Sequence, residues 1–550
     1  MVEYRFRPPT GRPEDRGASA PRYRREDADG MIIERDVPVP VRDGITVYAD
    51  VFRPAAGGPV PPLIAWSPYG KHAGSQVTER YPDSGVEPRQ LSPYTAFESP
   101  DPLWWTARGY AVVNADIPGT WNSGGDATFL CPREATYGYD LVEWAASQPW
   151  SNGRAGMSGV SYLASAQWFI AALGPPHLAA INPWEGWSDT YREVARHGGI
   201  PETNFWPYIC QRWGYGRNRV EDLAAETAAR GLFDEFWASK AADLPRVTVP
   251  AFVVASWSDQ GLHTRGTFEG FRQISSPRKW LDAHGGKKWG YYYADDSLRR
   301  QQAFFDHFLK GRETELSDWP RVRYQVRDRA FTGARKPAAD WPLPGTGYQR
   351  LFLDAGSGLL TTEAPAGEAA VSYDSEQAGR GRGRATFDFR FPEPAELVGH
   401  SRLRVWMSAA DADDLDVFVA LQKLDGYGDP VGFPYYAVFT DGPVALGWLR
   451  ASHRELEPER STPWLPVLAH RREHKPGRDN PVPLDIEILP SGTRFAAGET
   501  LRLVIQGRDI YRQPRPLVQA FHDDTVNRGR HVIHSGGRYD SYLQVPRAPG

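Results

Sequence analysis

The chain has 550 residues but only two cysteines, Cys131 and Cys210, far apart in sequence. A disulfide framework is excluded, and a reducing, cytoplasmic setting fits. No apolar run is long enough to cross a bilayer. The first 30 residues are polar, rich in Arg and Pro, and carry no apolar core. They read as neither signal peptide nor membrane anchor but as an arm, disordered or draped over the surface. Charge of one sign is also scarce. Sixty-four basic residues face 68 acidic ones, net −4, with no long run of either. Such a balance steers neither nucleic acid nor an anionic membrane toward the protein. There is no internal repeat and no heptad array. What is plentiful is aromatic, including 20 tryptophans, most of them expected in a core. The length predicts two or three domains.

The densest information lies between Trp144 and Trp168. Gly159-Val160-Ser161 is followed at once by a stretch that can form a helix, Tyr162 to Leu173. A serine on a sharp strand-to-helix turn has its hydroxyl exposed, and the helix N-terminus behind it offers free amides to a developing oxyanion. The usual five-residue motif has a second glycine where Leu163 stands. Gly156-Met157-Ser158 is an equally good Gly-x-Ser, so the bare motif leaves Ser158 and Ser161 both open, and the helix start favours Ser161. Downstream, Ala251 to Ser256 reads as a buried strand ending in a loop with Asp259. Lys279 to Leu281 reads as a shorter strand ending in a loop with His284. The order Ser161, Asp259, His284 is the nucleophile–acid–base order of α/β hydrolases. Asp282 is a nearby rival for the acid and is expected to be structural.

Further motifs run along the chain. They are Arg42-Asp43-Gly44-Ile45 with Ala49-Asp50, the turn Pro68-Tyr69-Gly70, and Gly109-Tyr110 leading to Asp116. Gln148 to Gly153 (QPWSNG), Gly447 to Arg454, and Ser541-Tyr542-Leu543 follow. From roughly Ile32 to Pro546 the chain thereby resembles the cocaine esterase and Xaa-Pro dipeptidyl-peptidase family of serine hydrolases, which includes α-amino acid ester hydrolases. The resemblance implies Ser161 as nucleophile, His284 as general base and Asp259 as its orienter. It implies an oxyanion hole from the Tyr69 hydroxyl and the Tyr162 amide. Two departures stand out. The family's Asp-x-Arg-Gly-x-Gly stretch reads Asp116-Ile117-Pro118-Gly119-Thr120-Trp121, so the local loop must differ. Asp259 follows Ser161 by 98 positions, short for the family, which implies a reduced cap and a more open pocket.

The pattern predicts a polar arm over 1–30 and an α/β-hydrolase domain over 31–181 and 245–345. A helical cap is inserted at 182–244. From Tyr348 onward, short strands divided by Gly, Pro and Asp predict an all-β sandwich, which the resemblance makes a jelly roll spanning 346–550. The cap is crowded with aromatics, and Trp184, Trp187, Phe205 and Trp206 are the candidates for a pocket that takes an apolar or aromatic ester.

Other motifs carry blander readings. His470-Arg471-Arg472-Glu473-His474 matches an inverted zinc-protease pattern, but Pro463, Pro466 and Pro476-Gly477 deny it the helix that would aim both imidazoles at one metal. Asp411, Asp413, Asp414 and Asp416 crowd a strand start without EF-hand spacing. No metal and no cofactor is expected. The expected activity is carboxylic-ester hydrolysis through an acyl-enzyme on a small-molecule ester; homo-oligomer formation is left open. An amidase or Xaa-Pro-type peptidase is the alternative. It would need a carboxylate for the free N-terminus, with Glu185, Asp189 and Glu193 as candidates. Gln260, Gly261 and Leu262 after Asp259 lack the carboxylate of the amino-acid ester hydrolases. A non-catalytic carbohydrate-binding protein is the alternative of another class.

Overall fold

A computed structural model describes residues 2–72, 76–377, 383–513 and 519–549, without the side chain of residue 76. Eleven strands form one twisted sheet. They are β1 (Arg24–Ala28), β2 (Met31–Pro40), β3 (Thr46–Pro54), β4 (Pro62–Ser67), β5 (Ala111–Asp116), β6 (Ala155–Val160), β7 (Leu178–Trp184), β8 (Ala251–Ser256), β9 (Lys279–His284), β10 (Val322–Arg329) and β11 (Thr332–Ala338). Their spatial order is β1-β2-β3-β5-β4-β6-β7-β8-β9-β10-β11. From β5 to β10 every pairing is parallel, and both ends are antiparallel. The swap of β4 and β5 arises because the chain passes from β3 over to β4 and then returns with β5, which inserts between them. The central strands are buried along nearly their whole length, which is why they read as continuous apolar runs rather than alternating ones.

Helices cover the sheet: α1 (Pro132–Ser147), α2 (Tyr162–Ala172), α3 (Thr264–Gln273), α4 (Lys288–Tyr292) and α5 (Asp295–Lys310). Pro132 starts α1, where a missing N–H costs nothing, and Gln148 turns extended before Pro149 and ends it. Gly311 closes α5 in the left-handed conformation.

The stretch between β7 and β8 contributes no strand to this sheet. It holds a π-helical turn (Tyr191–Ala195), the helices Phe205–Arg212 and Leu223–Ala229, and one helical turn at Glu235–Ala238. The N-terminal arm is more ordered than its composition suggests. Phe6–Arg7 pairs with Val220–Glu221, and β1 extends the main sheet.

From Gly347 onward the chain is mostly strands. One layer joins Gly347–Asp354, Tyr542–Arg547, the long strand Ala395–Ala409, Val482–Phe495, Arg530–Ser535 and Ala369–Asp374. A second joins Arg384–Arg390, Thr500–Gln506, Asp416–Leu424 and Ala445–Arg450. Both layers are antiparallel, and side chains such as Leu403, Val405, Val419, Ile486 and Leu503 form a core separate from that of the first domain.

Arg327 of β10 locks the two domains together. It stands in register with Thr493. Its guanidinium donates to the Gly492 carbonyl at 3.3 Å, the Val444 carbonyl at 3.1 Å and Ser491 Oγ at 2.7 Å. Burial lowers its pKa to about 9. Arg327→Ala would leave those acceptors unpaired and open a cavity. It should cost about 3 kcal/mol, read as a lower urea midpoint with the strand domain unfolding first.

Candidate active site

β6 delivers Ser161 and α2 leaves from it. Ser161 itself holds φ 62° and ψ −116°, a region non-glycine residues rarely occupy. Such backbone strain costs on the order of 1–3 kcal/mol and persists where neighbours over-determine it. Here the Ser161 amide donates to the carbonyls of Trp184 and Glu185, each at 3.1 Å, at the end of β7. Gly159 makes the turn possible: a Cβ there would lie 2.5 Å from Leu163 Cβ. Leu163, which displaces the expected second glycine, therefore packs into the space Gly159 leaves. Ser158 is buried, bonded to Asn182 Oδ1 at 3.1 Å and Tyr292 Oη at 3.0 Å rather than to an imidazole.

The imidazole at Ser161 is His263, not His284. Ser161 Oγ lies 3.0 Å from His263 Nε2, and His263 Nδ1 makes a short hydrogen bond to Asp259 Oδ2. Asp259 is where the sequence places the acid, but it serves a different histidine. The correction has a physical cause. β9 runs on to His284 instead of stopping at Leu281, so His284 is a strand residue paired beside Ser256. From there its Nε2 reaches Glu185 Oε1 at 3.0 Å, and its ring lies 3.8 Å from that of Tyr291. Asp259 instead begins a tight turn whose carbonyl accepts from Leu262, His263 and Thr264. That turn swings His263, four residues on, back over its own acid. The signal was present as Asp-x-x-x-His between a strand and a helix. Asp282 is structural, as expected: Arg323 and Arg335 bind it.

Lys288, at the start of α4, completes the cluster. Its Nζ donates to Asp259 Oδ2 at 2.9 Å and lies 3.5 Å from His263 Nδ1. Burial alone would raise the Asp259 pKa, but Lys288 and His263 hold it well below the carboxylate range. Burial lowers the His263 pKa, and Lys288 lowers it further against the opposing pull of Asp259. A neutral imidazole hydrogen-bonded to a serine hydroxyl and held by an ionised carboxylate can accept that hydroxyl's proton.

Tyr69 sits at the tip of β4. Its backbone turn is held by Trp121, whose indole donates to the Pro68 carbonyl at 2.9 Å and packs where a Cβ on Gly70 would be, at 2.5 Å. The altered loop after Asp116 is thus a support for Tyr69. Burial and Glu98 raise the Tyr69 phenol well above its ordinary pKa, while Arg212, Trp213 and Ser161 act the other way. The phenol stays protonated and able to donate, with Ser161 among its neighbours. The Tyr162 amide is the first of α2, one of the N–H groups a helix leaves without an internal acceptor. The Tyr162 hydroxyl is anchored to the buried Glu134 at 2.8 Å.

The rings of three of the four pocket aromatics lie away from the serine. Trp184, the last residue of the central strand β7, packs against Tyr292, ring centroids 5.0 Å apart. Phe205 and Trp206 begin a helix whose amides Glu202 caps, and both are buried. Trp187 is the one that reaches the site, stacked 5.3 Å from the His263 ring. None of the four lines the cavity of about 570 Å³ that reaches Tyr69. Aromatic clustering here fills a core, since that is the cheapest way to bury so much apolar surface. Nor is the site open: Ser161 is 4% exposed, and the cavity ends on Tyr69 without including Ser161.

Asp36, Asp50 and His72 offer ligand atoms within 4.8 Å of one another, with Asp36 and His72 on the wall of that cavity. Lys71 already supplies the cation, 2.7 Å from Asp36 Oδ1 and 3.7 Å from Asp50 Oδ1. His470 to His474 form no helix, and Asp416 is bound by Arg450 at 2.7 Å.

Strand-to-helix elbow, serine, imidazole and acid define an α/β hydrolase of the serine type. Residues 43–287 match the X-Pro dipeptidyl-peptidase (S15 family), and residues 315–544 match the X-Pro dipeptidyl-peptidase C-terminal non-catalytic domain. The chain belongs to this family of serine hydrolases, which includes the cocaine esterases. It is similar to a solved CocE/NonD family hydrolase from Staphylococcus aureus, with 41% identity, a TM-score of 0.93, and 97% of this chain and 98% of that one covered. It is 26% identical to cocaine esterase from Rhodococcus sp. over 403 residues, 63% of this chain and 66% of that protein. A putative Xaa-Pro dipeptidyl-peptidase of Bacillus anthracis is 26% identical over 376 residues, 60% of each. The matches thus span somewhat under two thirds of these two curated relatives. Among the described residues no helix is long and apolar enough to cross a membrane.

The arrangement predicts that the His263 imidazole titrates below the ordinary value of about 6.5. Removing the Lys288 charge in Lys288→Met should raise it. Carbon-13 histidine NMR across pH reads both; an unshifted resonance in the variant would disconnect Lys288 from His263.

Proposed function

We propose that the protein is a carboxylic-ester hydrolase with Ser161 as nucleophile, His263 as general base and Asp259 as the group that orients it. The observation that carries this is the unbroken hydrogen-bond chain from Ser161 Oγ through His263 to Asp259. Ser161 Oγ attacks the ester carbonyl carbon while its proton passes to His263 Nε2. The tetrahedral oxyanion is held by the Tyr69 hydroxyl and the Tyr162 amide. The intermediate collapses, and the C–O bond to the alcohol breaks as His263 Nε2 returns the proton to the leaving oxygen. Water, deprotonated by His263, then attacks the acyl-enzyme and frees the acid and Ser161. No cofactor enters these steps. The segment 182–244 is read as a cap over the site, and the strand domain as a jelly roll packed beside it. The substrate is a small molecule, and neither nucleic acid nor a membrane has a role.

An ester is favoured over a peptide by the fate of three carboxylates. Glu185 is committed to His284 and Ser256, Asp189 to Arg192, and Glu193 to Arg265. None is left to receive a free N-terminal ammonium. An aromatic or apolar preference loses its support, because the aromatics behind it are buried in the core.

His263→Ala should lower kcat by about four orders of magnitude on p-nitrophenyl esters, as should Ser161→Ala. His284→Gln should retain most activity, and full loss in His284→Gln with activity kept in His263→Ala would reverse the assignment. A fluorophosphonate should label Ser161 and leave Ser158 unlabelled, read by mass spectrometry of the peptide. Activity should fall as pH drops through the His263 pKa, so the acid limb lies below the ordinary histidine value of about 6.5. Tyr69→Phe should cost roughly 100-fold in kcat, with KM changing less; wild-type kcat in that variant would remove Tyr69 from the oxyanion hole.

A further inference from the structure

The cavity that ends on Tyr69 has a wall chemistry unlike an apolar ester pocket. Its floor is the Tyr69 ring, with Arg212 standing 5.2 Å over that ring. Its sides come from four elements of the chain. The N-terminal arm supplies Arg16, and β1 supplies Arg24. The turn after β4 supplies Lys71 and His72, and the short helix Gln76–Arg80 supplies Arg80. Asp36 is the acid in the lining.

Part of this positive charge is internally balanced. Arg35 binds Asp50 at 2.7 Å. Lys71 binds Asp36 at 2.7 Å, with Asp50 and Asp116 at 3.7 and 3.8 Å. His72 lies 3.0 Å from Asp36 and 2.9 Å from Asp50, and its pKa is raised despite burial. The rest is not. Among the described residues, Arg16, Arg24 and Arg80 face no carboxylate. Arg16 spends one guanidinium nitrogen on the Tyr215 hydroxyl at 2.7 Å and stacks on that ring at 4.5 Å. Arginines left unpaired around a concave site concentrate field there, and their planar forks match carboxylate or phosphate oxygens.

The arm is held in place for this. Thr10 and Gly216 exchange backbone hydrogen bonds with Gly214 and Gly11, at 2.8 and 3.1 Å. Asn122 holds the Ser19 carbonyl at 2.9 Å, and the Arg22 amide donates to Asp36 at 3.1 Å. A chain segment that forms no part of the elbow or its histidine–acid pair is therefore fastened across the mouth with two arginines facing in.

We propose that this cavity receives an anionic oxygen group carried by the substrate, so that the enzyme acts on esters with a carboxylate or phosphate at the end remote from the scissile bond. This rests on Ser161 being the esterolytic serine. The bound anion would lie among Arg16, Arg24 and Arg80 while the ester carbonyl reaches past Tyr69 to Ser161.

Two measurements separate the substrate class from the esterase activity itself. The first compares kcat/KM for mono-p-nitrophenyl glutarate with p-nitrophenyl valerate, which share a chain length and differ in the terminal charge. The anionic ester should be preferred by about 10-fold or more. The ratio should fall by about 10-fold in Arg24→Ala/Arg80→Ala and shrink between about 50 and about 500 mM NaCl. A ratio near unity, or one that survives the double replacement, overturns the proposal. The second reads binding without catalysis. Ser161→Ala is titrated calorimetrically with glutarate, inorganic phosphate and the neutral valeramide. Glutarate or phosphate binding that Arg24→Ala/Arg80→Ala abolishes supports the anion site even if no ester is turned over, and which ion binds tells carboxylate from phosphate. Valeramide bound as tightly as either ion, or no ion bound at all, counts against it.

Discussion

Everything in the site depends on one strained residue. Ser161 holds a left-handed backbone between a strand and a helix, and that conformation survives because two carbonyls at the end of the neighbouring strand hold its amide. The same turn aims the hydroxyl outward and sets the Tyr162 amide beside it. The sheet order brings the ends of β7 and β8 next to this elbow, so the acid and its histidine need little chain to reach it. Strain at one point is thereby distributed over the rigid centre of a parallel sheet.

Around the serine the electrostatics are unusual in depth. Asp259, His263 and Lys288 are all buried, with one carboxylate oxygen shared by an imidazole and an ammonium. A carboxylate in such a place would tend to protonate, and the ammonium prevents it. The ammonium also disfavours a charged imidazole, so the resting histidine is neutral. A second buried pair, Glu185 with His284, lies one strand away and is tied to Ser256 and Tyr291. Two histidine–carboxylate pairs therefore stand side by side, and only geometry separates the one at the serine from the one in the wall.

The remaining parts close the site from outside. The arm and the turn after β4 build the cavity mouth, while Arg327 fastens the strand domain to the sheet. Tyr436 of the strand domain donates its amide to the Ser258 carbonyl at 3.0 Å, next to the Asp259 turn, so the second domain supports the loop that carries the acid. The burial of Ser161 follows from this enclosure despite the short stretch between nucleophile and acid.

Local pattern determined the strand Ala251–Ser256, the helix after Ser161 and the change to short strands beyond Tyr348, and it narrowed the elbow to two serines, of which the helix start favoured Ser161. Each is written in contiguous residues: apolar runs, a Gly-x-Ser before a helix, turn residues at regular spacing. The order of acid after nucleophile was legible for the same reason. Which histidine serves that acid was not. His263 follows β8 and His284 ends β9, and choosing between them required the length and register of β9 and the turn begun by Asp259. Those are set by pairing with neighbours distant in sequence. The rings of three of the four cap aromatics lie away from the serine for a related reason: periodicity says that a ring will be buried, but only the packed structure says whether it is buried against the core or beside the site. The charge of the cavity mouth was equally hidden, because its arginines come from three separate segments of a chain that is nearly neutral overall. Folding sorted them, pairing some with acids and leaving others facing the same space.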